Sequence, residues 1–335
     1  MTGSLVAAML LPFAIDPVRA QPANFDAISD ATDAMADALL ATPNRKTPVP
    51  DVNLFATAPG EEQATTRLGT LRLNALAPLY YTSNAEGLGS GGSNSAEANP
   101  EVNLAGSLNA FDSRFRLSGL VRAETDRYAP ASGSNFDKLR INVTARYLNP
   151  NNDQAFSPFI SYIPRLDFEP TFSREFATRQ DLNFGVSKLF NFDSSFKRLP
   201  PSGRSSAEAA WSFGISVFGQ RRFRSPAPQS YAVILAPSVA YWISDRWNAS
   251  FDLFLTRRWY EPAAAAGTPN SFLMEPIAVL EYVMPDSWFG GNARAFGSPA
   301  LDLQASYERY WTKAPGFTAS TWWVGFAIKT GWGLF

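Results

Sequence analysis

The sequence predicts an all-β protein: an antiparallel up-and-down barrel of about 12 strands that crosses a membrane, with a short helix before it. Three observations lead to this prediction. Apolar and polar residues alternate with a period of two through most of the chain. No apolar run approaches the roughly 20 residues that a membrane helix needs. Aromatic residues stand at both ends of several alternating runs.

The alternation is clearest from Arg246 to Trp259, where one parity is apolar, the other is polar, and Phe254 is the exception. Such a period indicates a strand with one apolar and one polar face. From Arg67 onward we find twelve runs of this kind. Their bounds are Leu68–Tyr81, Val102–Phe111, Arg114–Asp126, Leu139–Leu148, Phe156–Phe168, Arg179–Phe190, Trp211–Phe223, Tyr231–Ile243, Arg246–Trp259, Phe272–Met284, Leu301–Trp311 and Thr321–Phe335.

The positions of the rings favour lipid over a protein core on the apolar side. Three runs carry an aromatic pair on the apolar parity, ten or twelve residues apart: Tyr231 with Tyr241, Trp247 with Trp259, and Trp322 with Trp332. In a tilted strand this separation is roughly 25 to 30 Å along the membrane normal, close to the height between two aromatic girdles. A large secreted sandwich or lipid-binding barrel is the alternative, because alternation alone fits both.

The links between the runs support an up-and-down order. Tight links lie at Phe111–Arg114, Leu148–Phe156 and Ser244–Trp247, whereas long loops rich in Gly, Ser and Asn lie at Ser83–Pro100, Tyr128–Phe136 and Glu261–Asn270. In an up-and-down meander the tight links fall at one rim. Two links at that rim, Asn191–Ala210 and Pro285–Ala300, are longer than this pattern expects, so ten and fourteen strands are alternatives to twelve.

The residues before the barrel divide into two segments. Residues 1–20 contain the apolar run Leu5–Ile15 and a small residue at Ala20, which predicts an export signal; a buried helix is the alternative. Residues 21–65 contain an acidic amphipathic helix, with Phe25, Ile28, Met35 and Leu39 near helical spacing, and then a Pro-rich linker. This helix either plugs the lumen or stays outside it. Residues 66–335 form the predicted barrel.

Composition excludes several kinds of chemistry. The chain has no cysteine and no histidine, so it lacks the commonest general base and metal ligand and every Ser-His or Cys-His pair. We therefore expect no enzyme, no metal and no cofactor. The net charge of -1 gives no reason to expect a nucleic-acid partner.

The chain from Leu68 to Phe335 resembles bacterial outer-membrane β-barrel proteins, in particular porin-like ones. The most specific element is the end, WWVGFAIKTGWGLF, an alternating strand that closes on Phe335. The resemblance implies that Phe335 is a signal for the barrel-insertion machinery and that the outer-membrane lipid surrounds the protein. Because the apolar parity of this strand is one position out of phase with Phe335, a bulge near Gly331 or Gly333 is expected.

If the apolar parity faces lipid, the other parity lines the lumen, where charge is tolerated. The third and fourth runs place a basic wall there, and the ninth to eleventh runs place an acidic wall. In a ring of twelve strands these walls lie roughly opposite each other and would set up a transverse field across the lumen. Ordinary lumenal salt bridges are the alternative. The basic residues are Arg116, Arg122, Arg140 and Arg146, and the acidic ones are Asp252, Glu275, Glu281, Asp302 and Glu308.

Some lumenal positions are apolar or small, which does not suit a wide water-filled pore. We interpret them as a landing site for the N-terminal helix. They are Ile234, Trp242, Ile277, Val279, Gly325 and Ala327. The predicted function is an outer-membrane channel for small polar solutes. The alternative is a barrel subunit for export of a polymer such as a surface polysaccharide, or an adhesion barrel.

Overall fold

The computed structural model describes residues 70–83, 94–110, 115–147, 155–199, 209–225, 229–261, 270–312 and 319–333. These residues form one antiparallel sheet of thirteen strands. The strands are β1 (Thr70–Thr82), β2 (Ser95–Ala98), β3 (Glu101–Ala110), β4 (Phe115–Ala129), β5 (Phe136–Tyr147), β6 (Ser157–Phe168), β7 (Glu175–Phe192), β8 (Trp211–Ser225), β9 (Ser230–Trp242), β10 (Trp247–Tyr260), β11 (Ser271–Val283), β12 (Ala300–Thr312) and β13 (Ala319–Gly333).

The sheet closes on itself. From β3 onward each strand pairs with the next along the chain, and β13 pairs with β1 from Arg72↔Gly333 to Thr82↔Trp323. Closure leaves no strand edge without a partner, which is the condition for crossing a membrane with strands. The result is an up-and-down barrel, as the alternation predicts.

β2 and β3 occupy a single position between β1 and β4. Both continue the same register on β1, with Leu79↔Ala98 on one side of the break and Leu76↔Glu101 on the other. The break falls at Pro100, which has no backbone N–H to donate. Asn99 N–H still donates to the Pro78 carbonyl at 3.2 Å. The barrel therefore has twelve strand positions, which confirms the predicted number.

The predicted strands agree with the observed ones within a few residues, with one omission. The stretch Ser83–Pro100 was expected to be a single loop, and this was wrong for its last part, where β2 begins at Ser95. The alternation there is weak because the outward residues, Ala96 and Ala98, are small.

The two faces of the wall differ in the way that a membrane barrel requires. Along β5, for example, Arg140, Asn142 and Thr144 are buried inside, whereas Ile141 and Val143 are exposed on the outside. A surface covered with large exposed apolar side chains far exceeds the patches seen on water-soluble monomers. The barrel is therefore a transmembrane barrel of the outer-membrane type.

The lengths of the links do not separate the two rims. We define the terminal rim as the one where β1 begins and β13 ends, and the distal rim as the opposite one. The terminal rim carries tight links but also residues 193–210 and 284–299, while the β8–β9 link at the distal rim, residues 226–229, is short. The two long links at the terminal rim are the two exceptions that are apparent in the sequence, and the second of them packs on the wall. Thr330 Oγ1 and Trp332 Nε1, on the outside of β13, donate to the carbonyls of Phe296 and Ala295 in the 284–299 link.

Several predictions concern residues outside the described part of the chain. These are the export signal, the amphipathic helix, the linker and Phe335. No bulge occurs at Gly331, because β1 and β13 pair in an unbroken register up to Gly333. Gly333 is the last described residue of this strand, and the alternative bulge there stays a prediction. No helix among the described residues is long and apolar enough to span a membrane.

Gly325 allows the close approach of β1 to β13. It pairs with Tyr80, and a Cβ at this position would overlap the Leu79 carbonyl oxygen and lie 2.7 Å from the Tyr80 Cα. The Tyr80 ring occupies that space, and its hydroxyl donates to Gln304 Oε1 on β12 at 2.9 Å. The pairing of β13 with β1 thus depends on the absence of a side chain at Gly325.

We expect Gly325→Ala to lower the free energy of unfolding by about 1–3 kcal/mol, because the added methyl group overpacks the β1–β13 seam. The measurement is the urea midpoint of the barrel refolded in detergent micelles. Gly119→Ala is the matched control, since a Cβ there meets only the Asn142 carbonyl oxygen, at 3.8 Å. Equal midpoints for the two variants would contradict the packing argument.

Candidate functional site

The predicted basic wall lies inside the barrel on β4 and β5. Arg116 and Arg146 are register partners, as are Arg122 and Arg140, and all four side chains are buried. Like charges directly opposite each other repel. This arrangement therefore requires carboxylates or other acceptors nearby.

The basic wall extends further than the sequence predicts. Arg140 pairs with Arg165 on β6, Arg165 with Arg179 on β7, and Arg179 with Arg224 on β8. Together with Arg122 they form a row of five arginines in register on five consecutive strands, which we call the arginine row. The available signal was the parity of Arg165 and Arg179, which is opposite to that of the apolar residues on their strands.

Carboxylates are interleaved with the arginine row. Arg122 Nε lies 3.5 Å from Glu101 on β3. Arg165 Nε donates to Asp167 at 2.6 Å on the same strand. Asp181 on β7 accepts from Arg179 at 2.8 Å and, through both oxygens, from Arg222 on β8 at 2.9 and 3.0 Å. The basic side of the lumen is thus a network of ion pairs rather than a bare positive wall.

A lysine on the same side contacts two acidic residues of the neighbouring strand. Lys138 on β5 lies 2.9 Å from Asp126 and also pairs with Glu124, and all three side chains are almost completely buried. Asn99, beside the break between β2 and β3, donates to Glu124 at 2.9 Å. This cluster connects β4, β5 and the interrupted strand.

The predicted acidic wall lies inside β10, β11 and β12. Glu281 and Asp302 are register partners and fully buried. Lys329 on β13 pairs with Glu281 and lies 3.4 Å from Asp302, so one ammonium group serves two carboxylates. The other members also face the lumen: Asp252 is half-buried on β10, while Glu275 on β11 and Glu308 on β12 are buried.

The order of the strands places the two walls across from each other. In a ring of twelve positions, β4 and β5 lie six positions from β10 and β11. The opposition expected from the sequence therefore follows from the topology. The selective role of the named residues stays a prediction.

A third part of the lumen wall is apolar. One cluster joins β1, β11 and β13, and a second joins β6, β8 and β9; Phe254 on β10 packs against both. Phe254, which breaks the alternation of its strand, thus has a place between two apolar groups. The first cluster is Leu76, Tyr80, Ile277, Val279, Trp323 and Ala327, and the second is Phe159, Phe218, Ala232 and Ile234.

The six aromatic residues predicted to form girdles all lie on the outer face. Tyr231, Trp259 and Trp322 are near the distal rim, and Tyr241, Trp247 and Trp332 are near the terminal rim. Each belt includes further rings: Tyr81 lies 5.6 Å from Trp322, and Trp211 stacks on Tyr241 at 4.1 Å, between ring centroids. Such rings suit the two membrane interfaces.

No protein-family model and no curated protein sequence matches the chain. Solved structures with a similar fold include an outer-membrane channel from Pseudomonas putida F1, with 10% identity and a TM-score of 0.44 over 81% of this chain and 98% of that one. An anion-selective porin from Comamonas acidovorans has 7% identity and a TM-score of 0.37 over 79% and 100% of the two chains. The NanC porin has 12% identity and a TM-score of 0.37 over 76% and 98%. Because these sequence identities and TM-scores are low, the function of this chain is inferred from its own side chains alone.

We expect Lys138→Met to destabilise the barrel by about 3–5 kcal/mol, because it leaves the buried carboxylates of Glu124 and Asp126 without their shared cation. Lys138→Arg keeps the charge and should recover most of the loss. Thermal unfolding in detergent micelles measures both variants. If the methionine variant were as stable as the unmodified protein, the ion-pair cluster would not contribute to the stability of the barrel.

Proposed function

We propose that this outer-membrane barrel is a channel for small polar solutes, whose lumen orients and selects them between a basic and an acidic wall. The observation that carries the proposal is the placement of Arg140 on β5, six strand positions from Glu281 on β11, with Arg122 on the strand next to Arg140. A transverse field between such walls acts on charge and on dipole orientation, as in other selective pores.

The kind of solute follows from the two charged walls of the lumen. Guanidinium groups on β4 to β8 provide forked donors for carboxylate or phosphate oxygens. Carboxylates on β10 to β12 accept hydrogen bonds from hydroxyl or amino groups. A small organic acid that also carries hydroxyl or amino groups would contact both charged walls.

The proposed channel does not require the N-terminal segment to plug the lumen. The apolar lumenal positions that its helix was predicted to cover, such as Ile234 and Ile277, pack against other lumenal side chains in the two clusters. They therefore have protein partners in addition to any segment that enters the lumen. Removal of residues 21–63 tests whether that segment controls conduction.

We expect single channels of the refolded chain, residues 21–335, to show steady conductance in a planar bilayer. Arg122→Glu and Glu281→Lys should each shift the ratio of anion to cation permeability, in opposite directions, because each reverses one wall. Reversal potentials in a salt gradient measure this ratio. Arg257→Gln, on the outer face of β10, is the control and should leave the ratio unchanged.

Three other results have defined meanings. Conductance that appears only after removal of residues 21–63 would show that the segment plugs the lumen. Conductance with an unchanged permeability ratio in both charge variants would remove the selective role of the walls. Silence of both the full chain and the truncated chain would contradict the channel and favour a barrel for polymer export or adhesion.

A further inference from the structure

Three arginines lie on the outer, lipid-facing side of the barrel, near the distal rim. Arg221 is on β8, Arg257 on β10 and Arg309 on β12, each on the parity that otherwise carries apolar residues. Arginine on this face is costly at the bilayer midplane and nearly neutral at an interface. All three are within four residues of the distal end of their strand, which places them at the interface.

Each of these guanidinium groups lies over an aromatic ring. Arg221 is 4.0 Å from the centroid of the Tyr231 ring, Arg257 is 5.6 Å from that of Trp259, and Arg309 is 5.7 Å from that of Trp311. Trp259 and Trp311 follow their arginines by two residues, on the side of the distal rim. The guanidinium groups are therefore directed along the wall toward the headgroup layer.

The three arginines lie at nearly the same height. The strands are tilted, so residues that are partners in register do not lie at one height. From each strand to the next in chain order, the register partner lies closer to the distal rim. Arg221 is level in register with Trp259 by way of Tyr231, and Arg257 lies two residues below Trp259. In the same way, Arg257 is in register with Trp311 through Phe272 on β11, and Arg309 lies two residues closer to the terminal rim than Trp311. Each shift of two residues toward the terminal rim offsets the rise of the register over two strands, so the three arginines lie at nearly the same height.

Among the described residues, Arg257 and Arg309 give this surface its positive charge. Arg221 is neutralised by Glu261, from which it lies 2.6 Å. For Arg257 and Arg309, no ion pair is found within the part of the chain that the structure describes. Arg127, another outward arginine near the distal rim, differs from them because it pairs with Asp137 at 2.5 Å and donates to two backbone carbonyls.

We propose that Arg257 and Arg309, which together with the paired Arg221 form what we call the outer arginine belt, bind phosphate groups of anionic lipid in the membrane leaflet at the distal rim. A guanidinium group matches phosphate through paired hydrogen bonds. Successive members are two strands and two residues apart, or about 12 Å between Cα atoms. This spacing suits the separate phosphates of one large headgroup or of adjacent lipids, with the acyl chains on the apolar wall below.

The test is native mass spectrometry of the full chain in detergent, with phosphatidylglycerol and phosphatidylcholine of identical acyl chains added in turn. We expect a preference for the anionic lipid. It should fall about fivefold for each of Arg257→Gln and Arg309→Gln, because each removes one cation near the headgroups. Both residues lie outside the lumen, so the conductance of these variants should stay unchanged whether or not lipid binding is lost.

Arg127→Gln is the matched control, since its arginine is already neutralised, and it should keep the preference. The lysine variants Arg257→Lys and Arg309→Lys retain the charge and should lose less than the glutamine variants. The proposal is overturned if the unmodified chain shows no preference, or if the glutamine variants keep it. It is also overturned if excess inorganic phosphate abolishes the preference, because the belt would then bind free anions rather than lipid.

Discussion

Every backbone polar group inside the hydrocarbon layer must find a partner within the protein, and this constraint shapes the whole structure. The pairing of β13 with β1 meets it by removing the last two free edges. The one proline break on the wall between β1 and β4 obeys the same rule, because Asn99 N–H donates to the Pro78 carbonyl across the break and the Pro100 carbonyl accepts from Thr125 N–H at 3.1 Å.

Closure then decides where charge can go. Once the wall is complete, side chains alternate strictly between lipid and lumen, and charged groups concentrate in the lumen. They neutralise one another locally, as Lys138 does for Glu124 and Asp126 and as Lys329 does for Glu281 and Asp302. The outward arginines of the described strands lie near the distal rim; they are Arg127, Arg221, Arg257 and Arg309. The proposed channel and the proposed lipid site therefore have the same origin, because charged side chains are placed either in the lumen or at the membrane interface and not on the lipid-facing wall between.

Much of this architecture could be predicted from the sequence, because a period of two defines both the strands and their faces. The number of positions, the bounds of most strands and the outward placement of Trp247 and Trp259 all follow from it. β2 was missed because its outward residues are alanines. Arg165 and Arg179 were missed because no lumen residues were predicted on β6 and β7, although the parity of both arginines is opposite to that of the apolar residues on their strands. Specific ion pairs such as Arg222 with Asp181 depend on register, which alternation does not define.

The arginine row has a geometrical property that a list of charges would not show. Its members are register partners, and register partners rise toward the distal rim from one strand to the next, so the row is a segment of a spiral and not a ring. It covers four of the twelve steps round the barrel, from Arg122 near mid-wall to Arg224 near the rim. The electrostatic potential inside the barrel is therefore handed. Two mirror-image solutes of equal charge and size would not experience the same path through it.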